Sequence, residues 1–377
     1  MSGSGERIRS GVPSGSLVRK IWPKLMGASL ALDGRTTLGR VSKTNRIPAF
    51  DFTKGALVLF MVLYHWLNYF YGPEGPIYTY LRFLTPSFIF ITGFLSSHVL
   101  LPKYGLANPQ LPMRLFLRGL KLLGVFVVLN LLINLLLPHS SIRTMLVERS
   151  SWADLDAIFV SGNVYVDRVS KVASFTILVP ISYLLILSAL LLRGCKFFKY
   201  TFHVVSALLL LCVVIFGLYG IHSANLENLA IGSLGVVCGY ASGAEILRVV
   251  SHPYAVVLAY CVYLGAITVW DVPFALRVVG VFLTVTLIYM VGAKSGEPGG
   301  LRGHIVVLGK YSLFGYISQI AILQVLHRVL WQAHPSAGVL GVSLIAGFAL
   351  TMISVEIVDR IRPRSATVDR LYRAVFA

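Results

Sequence analysis

Ten runs of apolar residues, at approximately 50–70, 79–101, 113–137, 172–192, 200–219, 226–247, 253–270, 273–293, 304–330 and 338–359, are set apart by glycine, proline or charged clusters. A bilayer core about 30 Å thick takes roughly 20 apolar residues per helix, so runs of this length leave little choice of fold. In hydrocarbon a segment must pair its own backbone groups, which selects helices. The expected fold is all-α: a polytopic membrane protein with about ten transmembrane helices. Composition excludes a water-soluble globule, since 13% of residues are charged where a soluble domain has about 25%.

The 33 Lys and Arg against 15 Asp and Glu leave a net charge of +18. In a soluble chain that excess would suggest nucleic acid. Here its placement says otherwise. With the N-terminus inside, basic residues gather in the tail 1–46, after the second span (Lys103, Arg114, Arg118, Lys121), after the fourth (Arg193, Lys196, Lys199) and at the C-terminus (Arg360, Arg362, Arg364, Arg370, Arg373). The other side carries only Arg82, Arg143, Arg149, Arg168, Lys171, Arg277 and Arg328. A basic excess marks the cytoplasmic side, so both termini are expected there, with membrane lipids and no nucleic acid as partners.

Three regions follow. Residues 1–46 read as a basic flexible cytoplasmic tail, in which Leu17 to Leu32 can form a surface helix on anionic lipid. They lack an uninterrupted apolar core followed by a small-residue cleavage site, so they do not read as a signal peptide. Residues 47–360 form the transmembrane domain, and 361–377 a second basic cytoplasmic tail. The long extracytoplasmic loop, 138–171, carries Glu148, Asp154, Asp156 and Asp167 beside Trp152, Phe159 and Tyr165; a small cap or a partly re-entrant element fits it. Cys195, Cys212, Cys238 and Cys261 show no metal-ligand spacing and read as packing residues, and no metal is expected.

Ionisable groups inside spans are costly and by default functional. The first span holds Lys54 and His65, eleven residues apart. That is about three turns, which puts them on one face roughly 16 Å apart along the axis. Asp51, one turn before Lys54, can pair with it. A structural reading stands beside this one: Lys54 snorkels to the surface and His65 bridges two helices. In the second span Arg82 runs against the charge bias, as an arginine holding an acidic partner or a polar substrate does. Arg114, Arg118 and Lys121 share a helical face, a cationic strip suited to phosphates and equally to lipid headgroups. Ser312, Tyr316 and Gln319 make one polar face in the ninth span.

Together these pieces resemble the acyltransferase 3 family of membrane acyltransferases. Asp51-x-x-Lys54-x10-His65 matches its first-helix pattern, and Phe88 to Phe94 its Phe-rich helix ending Thr-Gly-Phe. Arg118-x-x-Lys121 and Leu308-Gly-x-x-Ser-Leu-x-x-Tyr316 match two further motifs. Lys54 and Lys121 stand where arginine is commoner, and Gln319 where relatives often have histidine, which is similar to the glucan succinyltransferase or heparan glucosaminide acetyltransferase branches.

The resemblance implies acyl-CoA, most simply acetyl-CoA, as cytoplasmic co-substrate, no permanently bound cofactor, and a hydroxyl or amino acceptor on an extracytoplasmic glycan or glycolipid. It implies a bacterial plasma membrane. Arg118, Lys121 and Arg114 would hold the CoA phosphates. His65 would be the general base, with Lys54 and Asp51 organising the donor channel. Arg82 would shape the acceptor side, and Ser312, Tyr316 and Gln319 would line the cavity. A ten-span transporter or flippase of a polar lipid or sugar is the alternative, though the two halves of the chain show no internal repeat.

Overall fold

The structure, a computed structural model, describes residues 47–376 apart from 73–75, 106–107, 137–151, 164, 167–169, 172, 195–199, 242, 271, 295–298 and 332–335. The tail 1–46, Glu148 and Asp167 of the long loop, and Cys195 lie outside the described residues.

The fold is all-α apart from a two-residue antiparallel ladder pairing Tyr165–Val166 with Ser170–Lys171. Its main helices are α1 (Pro48–Phe70), α2 (Leu84–Leu95), α3 (Gln110–Leu136), α4 (Leu178–Gly194), α5 (Thr201–Leu218), α6 (Ala224–Cys238), α7 (Gly243–Val250), α8 (Pro253–Val269), α9 (Phe274–Lys294), α10 (Gly300–Lys310), α11 (Ser312–Trp331), α12 (Ala337–Ile361) and α13 (Ala366–Phe376). Seven described helices are long and apolar enough to cross a membrane: α1, the run Ile77–Tyr104 that contains α2, and α3, α5, α9, α11 and α12. The protein is therefore an integral, multi-pass membrane protein. Helices α4, α6 and α8 are apolar but shorter.

Local chemistry sets several helix starts. Pro48 occupies the first turn of α1, where its fixed φ is favourable and its missing N–H costs nothing. Ser223 caps α6 by accepting from the Leu226 N–H, with Glu227 in the first turn against the helix dipole. Two expected spans are divided. The 226–247 run becomes α6 and α7, and the 304–330 run breaks at Tyr311, between α10 and α11.

α1 is the centre of the bundle. Leu57, Met61 and Val62 are at most 2% exposed, and α3, α4, α6 and α11 contribute to the same apolar core. Small residues bring backbones together. A Cβ built on Gly309 of α10 would lie 1.6 Å from the Asp51 carbonyl oxygen of α1, and one on Gly55 of α1 would lie 2.0 Å from that of Ile305. Gly93 of α2 and Gly235 of α6 meet the backbones of Gly232 and Phe90 in the same way. Close approach through glycine gives apolar helices van der Waals contact that larger residues would prevent. At the other extreme, α5 buries only Ser206 and Val213.

Contacts group the helix ends into two faces. At the proximal face, where α1 begins, Asp51 meets Gly309, His98 Nδ1 lies 3.2 Å from the Gly239 carbonyl, and Lys310 pairs with Asp359 at 2.6 Å. At the distal face the residues 152–163 form a small cap. Asn225 donates to the Ile158 carbonyl at 2.8 Å, Ser223 to that of Val160 at 2.8 Å, and Tyr183 to that of Phe159 at 2.9 Å. Cys212 and Cys261 are exposed on the outer faces of α5 and α8 and do not pack in the core, whereas Cys238 is half-buried. The apolar faces these two occupy are lined by exposed residues such as Leu208 and Leu258, as lipid-facing surfaces require.

Residues 366–376, within the segment read from sequence as a basic tail, form α13, docked on the proximal face. Tyr372 packs edge-on against Tyr311 at 5.2 Å and Phe376 against Phe314 at 5.6 Å. Arg362 donates to Asp369 at 2.7 Å, and Arg373 pairs with the same carboxylate. The hydrogen bond from Arg362, reinforced by Arg373, holds the Asp369 carboxyl below the usual carboxylate range. A depressed carboxylate stabilises the docked state above its unfolded pKa, and the contribution is lost as pH falls through the lower folded value. Docking of α13 is expected to hold from neutral pH down to about 4, the unfolded Asp value, and to loosen below it. Hydrogen exchange of amides 366–376, corrected for intrinsic rate, would read this, and Asp369→Asn should show the loosening already at pH 6.

Candidate functional site

A cavity of about 100 Å³ lies between α2, α3, α4 and α11. Arg118 lines it and keeps part of its surface accessible. Ser312 and Thr92 supply hydroxyls along the wall, Tyr316 lines its buried side at 7% exposure, and Phe88, Leu122 and Ile181 make the rest apolar. The site is thus a narrow apolar passage with one cation and a few hydroxyls.

Tyr316 connects this cavity to α1. Its ring centroid lies 6.2 Å from that of His65, at 50°. His65 is 9% exposed and is also held edge-on by Tyr64 at 5.3 Å. One turn beyond Tyr316, Gln319 is fully buried and does not line the cavity it was expected to share, and neither its Nε2 nor its Oε1 has a hydrogen-bond partner among the described residues. Leaving a buried amide unsatisfied costs on the order of 1–3 kcal/mol, so such a group is a candidate to meet a polar ligand.

The other side of Tyr316 is set by residues that sequence reading missed. Phe175 packs edge-on against it at 6.0 Å, from a backbone φ of 59°. It is the only described non-glycine residue in that left-handed region. Such a conformation costs about 1–3 kcal/mol and persists only where surroundings fix it. Here Asn130 of α3 does so, accepting from the Ser174 N–H at 2.8 Å and donating to the Ser174 carbonyl at 3.0 Å. Ile177 and Leu178, just after this turn, line the cavity. An asparagine inside an apolar span was the available signal.

The remaining expected site residues fall elsewhere. Asp51 and Lys54 form an ion pair at 2.6 Å, packed where α1 meets α10, and neither lines the cavity. The strip Arg114, Arg118, Lys121 is split. Arg114 donates to the Tyr104 hydroxyl and stacks over that ring at 4.8 Å, and Lys121 donates to the Arg373 carbonyl of α13 at 3.2 Å. Only Arg118 reaches the cavity, because neighbouring elements take up the flanking two. Arg82 is exposed and lines no cavity described here. The arginine paired against the charge bias is Arg277, which binds Glu227, with His222 Nδ1 at 3.9 Å from the same carboxylate. Compared with models of protein families, with curated proteins and with solved structures, the chain matches none.

Proposed function

We propose that the chain is an acyl-CoA-dependent membrane acyltransferase, moving an acyl group, most simply acetyl, to a hydroxyl or amino group of an extracytoplasmic glycan or glycolipid. The observation that carries this reading is the cavity running from Arg118 to Tyr316, with His65 against Tyr316. In this reading ten helices cross the membrane, α4, α6 and α8 among them, and both termini are cytoplasmic, in a bacterial plasma membrane. The proximal face is then the cytoplasmic one, and Arg118 sits where the phosphates of CoA arrive. A cavity of about 100 Å³ has no room for the nucleotide, which stays outside it.

The chemistry is acyl transfer from a thioester. The acceptor O–H or N–H loses its proton to the His65 imidazole, whose ordinary pKa near 6.5 suits a general base at neutral pH. The acceptor oxygen or nitrogen attacks the thioester carbonyl and a new C–O or C–N bond forms. The C–S bond breaks, and the departing CoA thiolate takes the proton from the imidazolium. Tyr316 positions the ring of His65, and Gln319 offers a buried amide to the substrate. The Asp51–Lys54 pair organises the proximal end of α1.

The test is CoA thiol release by protein in lipid vesicles given acetyl-CoA or succinyl-CoA with a pool of glycans. Arg118→Gln is expected to raise the KM for acyl-CoA about 10- to 100-fold with kcat nearly kept, the loss of one charge-assisted bond of roughly 1.5–3 kcal/mol. No acceptor-dependent release, together with no acyl-CoA binding, would reject the enzyme and favour the transporter.

A further inference from the structure

The C-terminal helix α13 is fastened to two of the helices that wall the Arg118 cavity. On α3, Lys121 donates to the Arg373 carbonyl at 3.2 Å, and Lys121 lies one turn from Arg118 on the same helical face. At the start of α11, Tyr372 packs against Tyr311 at 5.2 Å and Phe376 against Phe314 at 5.6 Å. Ser312 and Leu313, which stand between Tyr311 and Phe314 in the chain, line the cavity. Tyr372 and Phe88, another lining residue, pack against the same apolar cluster of Val58, Leu308, Tyr311 and Val355. The helix therefore touches the residues next to the lining ones on both walls.

Its hold is shallow. None of the eleven side chains of α13 is buried. Its charged anchor is one carboxylate, Asp369, which accepts from Arg362 at 2.7 Å and pairs with Arg373. An isolated helix shorter than about 12 residues is marginal in water, so α13 is helical while docked and unfolds when released. Elements of such low local stability are the ones that move. The chemistry of Lys121 says what moves this one. It is engaged by a neutral carbonyl, whereas a phosphate oxygen would give it a charge-assisted bond roughly twice as strong. A ligand shifts an equilibrium by its difference in affinity for the two states. A phosphate drawn to Arg118 has that difference, because the second cation on the same helical face becomes its partner once Arg373 lets go.

We propose that α13 is an autoinhibitory clasp on the donor site: CoA, bringing its phosphates to Arg118, takes Lys121 from the Arg373 carbonyl and releases the helix. While docked, α13 ties α3 to the start of α11 and keeps donor affinity low. This rests on the acyl-transfer reading, whose regulation it supplies.

The experiment follows the full chain in lipid vesicles at pH 7 by hydrogen exchange of amides 366–376 and by equilibrium binding of CoA. Saturating CoA is expected to raise exchange there about fivefold, and Asp369→Asn to tighten CoA binding by the same factor, as a site competent in roughly one molecule in five requires. Phe376→Ser, which removes a ring contact and no charge, should also tighten binding; this separates release of the helix from the loss of a nearby negative charge. Lys121→Gln added to either variant should abolish the gain. A gain that survives Lys121→Gln, or one seen with Asp369→Asn and not with Phe376→Ser, overturns the proposal. So does slower exchange at 366–376 with CoA bound, which would make α13 part of the donor site. Equal CoA affinity in wild type and both variants overturns the clasp and leaves the acyl-transfer reading standing, whereas no CoA binding by any of them removes both.

Discussion

His65→Ala is expected to lower acceptor-dependent CoA release about 10²- to 10⁴-fold, the range that removal of a general base costs, with acyl-CoA binding within about twofold. The separation of the two readouts follows from geometry. Arg118, the cation proposed to meet the donor, lines a cavity that His65 does not line, so the alanine should leave donor affinity alone. The imidazole is also a buried packing element between Tyr64 and Tyr316, and truncation costs stability as well as chemistry. His65→Asn, which fills more of the space, should be equally inactive and melt closer to wild type. Turnover in either variant within about threefold of wild type would remove His65 as the base, since a proton acceptor contributes at least about 10²-fold.

Gly309→Ala is expected to cost about 3 kcal/mol of stability or more, at the upper end of what an added methyl group does in a packed core. The obstacle is backbone. The new Cβ would meet the Asp51 carbonyl oxygen and carbon and the Gly55 nitrogen, none of which can rotate away. α10 must then separate from α1, disturbing the segment that holds the Asp51–Lys54 ion pair. Gly124→Ala, in α3, is the control, since its Cβ would touch nothing within 4 Å. There the helix propensity of alanine should stabilise by roughly 0.5–1 kcal/mol. Thermal unfolding in one detergent for both variants gives the comparison; similar melting temperatures would show that the α1–α10 crossing is not tight.

Helix positions were legible because a bilayer demands them: each of the ten apolar runs is occupied by helix, with differences of a few residues at most ends. The break at Tyr311 was not legible. Lys310-Tyr311-Ser312 contains no glycine or proline. The chain bends there because Gly309 is pressed on α1 and Tyr311, 2% exposed, packs against Tyr372 of α13. Both contacts join residues far apart in sequence. The candidate site divides in the same way. Of the face expected from periodicity, Ser312 and Tyr316, one helical turn apart, line the cavity and Gln319 does not. Periodicity also put Arg114 and Lys121 beside Arg118, and failed because a helical face says nothing about which neighbours will cover it. Phe175 left no trace in the pattern, since its contact with Tyr316 depends on a backbone conformation that Asn130 imposes from another helix.

The shallow seating of α5 has a bearing on which membranes suit the protein. Its 18 residues span roughly 27 Å, slightly less than a typical hydrocarbon core of about 30 Å. A helix gripped by many neighbours can pass such a mismatch to the bundle, but α5 buries only two side chains, one of which, Ser206, is hydrogen-bonded to Ser233 of α6. Lipid thickness therefore acts first on α5, and strain it transmits reaches Ser233 of α6 and Tyr240, on which Phe202 and His203 pack. Thin bilayers should be where this fold is most at ease, with longer-chain lipids paying for α5 by local thinning around it.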